Sequence, residues 1–143
     1  VGIYREDYNN NIILEMEREG FNNYRNIGDL NRGFEMSFYL PKTRIGKYAK
    51  IDIFVHNRET IGNKKYIYWA SYKKPNYVDR IKYRVSDFSL KPILFCGVKV
   101  NIPSNTEKYL VEHYGKDWRT PKKPGRHGSY YYATSPTSIV KEN

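Results

Sequence analysis

The sequence has a single cysteine among its 143 residues, and it has no long apolar run. One thiol excludes an internal disulfide and any zinc site built from several cysteines. No stretch approaches the roughly 18 apolar residues that a membrane-spanning helix needs. The chain also begins with Val1 rather than Met and shows no signal peptide, so we expect it to be a processed or excised piece of a longer protein.

The signatures of several enzyme classes are also missing. No serine lies in a Gly-x-Ser-x-Gly context, and Cys96 has no histidine placed beside it, so nucleophilic hydrolysis has no support. No phosphate loop or dinucleotide fingerprint is present. The three histidines, His56, His113 and His127, are too scattered to indicate a metal or catalytic set. We expect His56, at the end of a predicted strand, to be exposed.

Basic residues outnumber acidic ones, with 25 Lys and Arg against 15 Asp and Glu and a formal net charge of +10. Such a balance indicates an anionic partner: nucleic acid, a membrane surface or a phosphorylated substrate. Coding bias in an AT-rich genome is an alternative source of so many Lys, Asn, Ile and Tyr residues. No long block of one sign appears, which excludes a basic tail but not a basic groove.

The periodicity predicts one α+β domain over residues 1–143. Apolar residues at helical spacing predict a helix over Arg5–Glu19, with Asp7 or Glu6 near its start and Gly20 as its left-handed stop. Residues 1–4 are read as the end of a strand.

Two stretches alternate between apolar and polar residues, as half-buried strands do. They are Gly33–Leu40 and Lys50–Val55, and we expect them to be adjacent and antiparallel. Further strands are predicted over Tyr66–Tyr72, Arg80–Val85 and Ile93–Ile102. Turn-rich connections are predicted over Asn22–Arg32 and Asn57–Lys65.

The second predicted helix begins at a capping box, with Ser104 as the cap and Glu107 three residues on, and it ends at Gly115. The chain then becomes irregular, and residues 119–143 are predicted to be a tail of the same domain. Aromatic residues lie there among basic ones: Trp118 and Tyr130–Tyr132 among Arg119, Lys122, Lys123 and Arg126.

The only carboxylates on predicted strands with apolar neighbours are Glu35 and Asp52. Each lies on the face opposite the main apolar set of its strand. Burying an unpaired charge is costly, so Asp52 must point to solvent, pair with Lys or Arg, or face a cleft where a metal neutralises it. Two carboxylates rarely suffice for Mg²⁺, so the residues alone support at most half of a metal site.

Several segments in order resemble one family. They are Val-Gly-Ile-Tyr-x-x-Asp-Tyr at the start, Phe34–Phe38, Lys50–Phe54, Val98–Pro103, Glu107–Leu110 and Tyr114–Pro121. Their order and spacing resemble the fukutin and LicD-type nucleotidyltransferase-fold family over nearly the whole chain. The likeness is loosest from Arg58 to Arg84 and after Lys123.

The resemblance implies a nucleotidyltransferase-like fold, a mixed or antiparallel sheet with flanking helices. It also implies a transferase that moves a phosphorylated polyol, sugar or choline group from a nucleotide-diphosphate donor, such as CDP-ribitol or CDP-choline, to a glycan or glycoprotein acceptor. Family members use Mg²⁺ or Mn²⁺. Asp52 matches a metal ligand or a base for the acceptor hydroxyl, and Glu35 matches either a catalytic carboxylate or a structural partner for Lys or Arg. The candidate phosphate contacts are Lys50, Arg44, Lys122 and Arg126.

The sequence departs from the family at its start. The family's metal-binding Asp-x-Asp lies directly before the residues that match Val1–Tyr4, and no equivalent pair occurs within this chain. We therefore expect an incomplete catalytic domain that is inactive by itself. Two alternatives stay open: a non-catalytic scaffold of the same fold, and a basic nucleic-acid-binding domain, which the lack of a nucleic-acid motif disfavours. Animal relatives act in the secretory pathway, but nothing in the sequence assigns a compartment or an oligomeric state.

Overall fold

The structure is a computed structural model that describes residues 1–40, 49–73, 79–120 and 139–140. These residues form two helices and nine strands, which bears out the predicted α+β class. The helices are α1 (Asn11–Arg18) and α2 (Thr106–Tyr114). The strands are β1 (Gly2–Tyr4), β2 (Asn22–Asp29), β3 (Gly33–Leu40), β4 (Ala49–Ile61), β5 (Lys64–Tyr72), β6 (Arg80–Ser86), β7 (Leu90–Phe95), β8 (Val98–Pro103) and β9 (Ile139–Val140). No helix in the described ranges has the length and apolar character to span a bilayer.

Seven strands form one sheet with the order β2-β3-β4-β5-β6-β9, and β1 joins it by pairing in parallel with β4. Strands β7 and β8 form a separate two-stranded sheet. The chain divides into two compact units, of which the first comprises Val1–Asn57 and Tyr68–Lys82 and the second comprises Arg58–Ile67 and Tyr83–Asn143. The single domain over residues 1–143 stays a prediction.

The core of the first unit lies on one face of β3 and β4. Met36, Phe38, Ile53 and Val55 are buried there, as the alternation predicted, and apolar residues of α1 pack against them. The two strands pair antiparallel, also as predicted. Complete burial of one such side chain contributes about 1.5–3 kcal/mol, so this face supplies much of the stability of the unit.

Helix α1 is shorter than predicted because the residues before it belong to a turn after β1. The backbone nitrogen of Arg5 donates to the carbonyl oxygen of His56 at 2.8 Å, so Arg5 extends the pairing with β4. The side chain of Asn9 accepts from the nitrogen of Asn11 at 2.9 Å, and the helix begins there. The placement of Asp7 or Glu6 at the helix start was therefore wrong, whereas Gly20 has the expected positive φ of 87°.

The predicted turn region Asn22–Arg32 is mostly a strand. β2 pairs antiparallel with β3 and has an irregularity between Asn23 and Arg25. Its composition is poor in apolar residues because it is the first strand in the sheet order and most of its side chains are exposed. Pairing with β3 outweighs the turn preference of the asparagines.

Two further predicted boundaries were also wrong. The polar stretch Asn57–Lys65 is mostly strand, because β4 runs on to Ile61 and β5 begins at Lys64. The single strand predicted over Ile93–Ile102 is a hairpin, because the chain reverses at Cys96 and Gly97, which have φ of 49° and 80°. Two consecutive positive φ values are typical of the tight turn that joins antiparallel strands.

Helix α2 ends at Gly115 as predicted but begins one residue later than the capping box indicated. Asn105 is the cap, and its side chain accepts from the backbone nitrogen of Lys108 at 3.2 Å. The carboxylate of Glu107 instead accepts two hydrogen bonds from Arg119, at 2.6 and 3.1 Å. Asparagine and serine are equally good caps, so the sequence alone did not separate these positions.

Candidate functional site

Five polar side chains lie together on the face of β2, β3 and β4 opposite the core. We call them the polar row: Arg25, Glu35, Ser37, Lys50 and Asp52. Arg25 is opposite Ser37 in the β2–β3 register, and Ser37 is opposite Asp52 in the β3–β4 register. Because side chains alternate along a strand, Glu35 and Lys50, each two residues away, project from the same face.

Hydrogen bonds connect the polar row from end to end. Arg25 Nη2 donates to Glu35 Oε1 at 2.6 Å and to Ser37 Oγ at 3.0 Å. Ser37 Oγ in turn donates to Asp52 Oδ1 at 2.7 Å. Asp52 Oδ2 lies 3.0 Å from Lys50 Nζ. Each oxygen of the Asp52 carboxylate therefore has one fixed partner, which holds its orientation.

The polar row is buried at one end and open at the other. Glu35 is 5 % exposed and Ser37 is fully buried. The side chains of Asp52 and Lys50 are 30 % and 48 % exposed. An incoming ligand therefore meets Asp52 and Lys50, whereas Glu35 and Ser37 lie beneath them.

The pKa values of Glu35 and Lys50, at the two ends of the row, are both raised, but for different reasons. Burial raises the pKa of Glu35 above its ordinary value, and the charge and hydrogen bond of Arg25 oppose that rise without cancelling it. Burial acts to lower the pKa of Lys50, but its bonds to Asp52 and Tyr24 outweigh this effect and the net shift is upward. Lys50 consequently keeps its positive charge at the open end.

Strand β1 begins beside Asp52. The terminal nitrogen of Val1 donates to the backbone carbonyl oxygen of Asp52 at 2.9 Å, and Phe54 donates to Val1 at the same distance. A Cβ on Gly2 would overlap the ring of His56, so only glycine permits this close pairing. His56 is half-buried and its ring lies 4.9 Å from that of Trp69, which corrects the expectation of an exposed histidine.

Three of the predicted site residues are brought together by the structure: Glu35, Lys50 and Asp52. Of the alternatives for Asp52, the structure shows pairing with a lysine. For Glu35 it shows an arginine partner. The other three predicted phosphate contacts, Arg44, Lys122 and Arg126, lie outside the described residues. The aromatic run Tyr130–Tyr132 lies outside them too.

Sequence reasoning missed Arg25 and Ser37. Ser37 carried a usable signal, because it lies two residues from Glu35, and so on the same face, of a strand that was predicted to pair with the Asp52 strand. Arg25 carried none, because its strand was not recognised. Trp118 is half-buried, and the Arg119 guanidinium lies 4.4 Å from its ring centre.

The residues described do not form a metal site by themselves. Among them no group of three or more Asp, Glu, His or Cys side chains converges. Glu35 accepts from Arg25, and Asp52 is left as the one partly exposed carboxylate of the polar row. The polar row therefore offers a single ligand to a divalent cation.

Comparison with curated proteins finds similarity to fukutins. The ribitol-5-phosphate transferase FKTN of Macaca fascicularis is 30% identical over 124 residues, which is 86% of this chain and 24% of that protein. The proteins of the same name from Homo sapiens and Mus musculus are each 29% identical over the same lengths. The chain thus spans about a quarter of the length of the relatives it matches.

The resemblance to the fukutin family is confirmed for this segment. No protein-family profile matches the chain, and no solved structure matches it. The α+β class is therefore established by the strands and helices themselves, and the nucleotidyltransferase-like fold stays a prediction.

Proposed function

We propose that the chain is part of a transferase domain that moves a phosphorylated polyol, sugar or choline group from a nucleotide-diphosphate donor to a glycan. Similarity to three ribitol-5-phosphate transferases supports this and favours ribitol phosphate as the group transferred. The polar row supports it independently, because it presents an oriented carboxylate and a cation together at an accessible position.

The observation that carries the proposal is the open end of the polar row. Asp52 is held by Ser37 and Lys50 and is still accessible, as a general base must be to accept the proton of an acceptor hydroxyl. Lys50, 3.0 Å away, is placed to offset the negative charge of a donor phosphate. In this proposal Asp52 accepts the proton of the acceptor and, as a ligand of a divalent cation, would also take part in donor binding. Lys50 contacts the donor phosphate directly.

The buried end of the row acts on Asp52 through Ser37. The Ser37 hydroxyl accepts from Arg25 and donates to Asp52, so the guanidinium fixes the direction in which the hydroxyl proton points. Glu35 in turn fixes the guanidinium at 2.6 Å. We assign Glu35 and Arg25 as positioning residues, since the carboxylate of Glu35 is too buried to reach an acceptor.

A divalent cation, Mg²⁺ or Mn²⁺, belongs to the proposal with Asp52 as one ligand. If β1 continued before Val1 in the same parallel register, its residues would lie along β4. Counting backwards from Val1, the first preceding residue would lie opposite Asp52 and the third would lie opposite Lys50. Those two positions share the face of Asp52, so an Asp-x-Asp there would add two carboxylates to it. Such an ion would offset the charge of the donor diphosphate.

The test is calorimetric titration of CDP, CDP-ribitol and CDP-choline in the presence of Mn²⁺. It compares the chain as given, the chain with any upstream coding sequence restored, and Asp52→Ala and Asp52→Asn variants of each. The control is Glu17→Ala, which removes one exposed carboxylate from α1. We expect metal-dependent binding to the extended chain that weakens at least about tenfold in both Asp52 variants, since a lost charged contact costs about 1.5–3 kcal/mol. Glu17→Ala should bind normally.

Two results would contradict the proposal. Nucleotide binding that is unaffected by Asp52→Ala would remove Asp52 from the site. Absence of nucleotide binding by the extended chain would favour the scaffold alternative. Strong, salt-dependent binding of arbitrary oligonucleotides by the same samples would favour the nucleic-acid alternative instead.

A further inference from the structure

The hairpin of β7 and β8 is paired with no other strand in the described part of the chain. Its register runs through six residue pairs, from Leu90 opposite Pro103 to Phe95 opposite Val98. At its base, the Ser89 carbonyl accepts from the backbone nitrogen of Ser104 at 2.8 Å, and the two serine hydroxyls are 2.9 Å apart. The hairpin is therefore fixed at its base and ends in a tight two-residue turn.

The tip of this hairpin is apolar and exposed. We define the tip as Leu94, Phe95 and Val98, whose exposures are 76 %, 63 % and 62 %. Exposure decreases towards the base, where Ile93, Val100 and Ile102 are half-buried. Single exposed apolar side chains are common on an ordinary protein surface. A cluster of them, as at this tip, marks an interaction site.

The charges beside the tip have one sign. Lys91 and Lys99 are the only charged residues between Phe88 and Pro103, and both are exposed. Lys99 is opposite Leu94 in the register, which places its side chain beside Leu94 at the tip. Lys91 lies further along the same hairpin, towards its base. A long aliphatic stem lets such a lysine cover apolar surface while its charge stays in the polar layer. An apolar tip flanked by lysines matches an anionic lipid surface.

The shape of the tip also favours a lipid surface over a protein partner. A stable protein interface buries roughly 800 Å² on each partner, far more than three side chains at the end of a two-stranded ribbon present. Deep insertion is disfavoured, because the outer edges of an isolated hairpin carry backbone groups that hydrocarbon cannot satisfy. A depth of about 5–10 Å, at the boundary of headgroups and acyl chains, suits both the tip and the lysines.

We propose that the tip inserts into the interfacial layer of an anionic membrane while Lys91 and Lys99 contact lipid phosphates. This inference is independent of the transferase chemistry, because it uses neither the polar row nor any nucleotide. It places the domain at a membrane surface by means of a segment that does not span the bilayer.

The first test is co-sedimentation of the chain with phosphatidylcholine vesicles, with and without phosphatidylserine. We expect binding to the anionic vesicles that falls at least about tenfold in a Leu94→Asp, Phe95→Asp double variant, since each fully buried side chain of this kind carries enough free energy for about a tenfold change. The matched control is Ile61→Asp with Asn63→Asp, which makes the same change in net charge. Those residues are exposed on either side of Gly62, in the turn between β4 and β5.

The lysines are tested by Lys91→Gln and Lys99→Gln, each expected to weaken binding to anionic vesicles about fivefold. The exposed Lys64→Gln should have a smaller effect. Thermal unfolding of every variant should match the parent chain, because all the altered side chains are exposed.

Cys96 provides a direct reporter, since it is the only cysteine and lies in the turn at the tip. An environment-sensitive dye on its thiol should shift to the blue when anionic vesicles are added and become protected from aqueous iodide. An unchanged dye spectrum under conditions of binding would overturn the proposal, as would binding that survives the double variant. Concentration-dependent self-association abolished by Leu94→Asp would assign the tip to a second copy of the chain instead.

Discussion

The two faces of β3 are both buried, but by different means. Met36 and Phe38 on one face are covered by apolar side chains, including those of α1. Glu35 and Ser37 on the other face are covered within a connected set of ionic and hydroxyl contacts. Burial by itself therefore does not identify the core of this unit.

The difference lies in what each face requires of its residues. Apolar packing is not directional, so it tolerates a different side chain of similar volume. The polar face depends on particular donors and acceptors, and removal of one member leaves another buried without its partner. The following substitutions probe this comparison, in order of decreasing expected effect.

Phe38→Ala should lower the free energy of unfolding by about 3–5 kcal/mol, because Phe38 is fully buried and the substitution leaves a cavity. Urea denaturation measures the loss. Met36→Leu is the volume-conserving control on the same face and should cost less than about 1.5 kcal/mol. Equal losses in the two variants would show that this face is as specific as the polar one.

Arg25→Met should cost about 2–3 kcal/mol, because it leaves the Glu35 carboxylate buried without its ionic partner. Adding Glu35→Gln to Arg25→Met should restore most of the loss, since the uncompensated charge is then gone. A double-mutant cycle by urea denaturation measures the coupling between the two residues. Additive losses would mean that the ion pair contributes nothing to the polar face.

His113 in the second unit shows what burial does to a titrating group among aromatic rings. Tyr83, Tyr109 and Tyr114 surround it, and burial lowers the pKa of His113 to about 4. The folded state therefore favours the neutral imidazole of His113. The stability that this burial contributes is complete above the unfolded pKa of 6.5 and is lost as the pH falls towards 4. We expect a loss of about 2 kcal/mol over that window, allowing for partial solvent exposure. Urea midpoints from pH 7 to pH 4 measure it, and His113→Phe should remove this part of the pH dependence.

Ser37→Ala should cost about 1 kcal/mol, the net value of a typical hydrogen bond, because it removes the group that connects Arg25 to Asp52. Ser89→Ala, which removes an exposed hydroxyl pair with Ser104, should cost less than about 0.5 kcal/mol. Titration of nucleotide and Mn²⁺ onto the extended chain with Ser37→Ala gives a second measurement, because a loosened Asp52 should contribute less to metal-dependent donor binding even where the fold is intact. Unchanged binding would contradict the positioning role of Ser37.

Alternation in the sequence was sufficient to predict β3, β4 and their antiparallel pairing. It was also sufficient to place Glu35 and Asp52 on the face opposite the core. These predictions succeeded because each strand is apolar on one face only, which is the pattern that a period of two detects. Their specific roles stay predictions, since they depend on the family resemblance.

Other features depended on tertiary contacts that no local pattern reveals. Arg25 was missed because β2 is an outer strand whose asparagines are typical of turns. The turn at Cys96–Gly97 was missed because the first position of such turns usually carries Asn, Asp or Gly rather than Cys. Both errors arose where strand pairing overrode local preference.

The parallel pairing of β1 with β4 has a consequence for the order in which the domain folds. Neighbouring strands such as β2 and β3 pair through a short turn, whereas Val1 and Asp52 are 51 residues apart in sequence. Contacts between distant residues form slowly, because the loop between them must first be closed. We therefore expect β1 to dock after β2, β3 and β4 have assembled, so that the surroundings of Asp52 are completed in a late folding step.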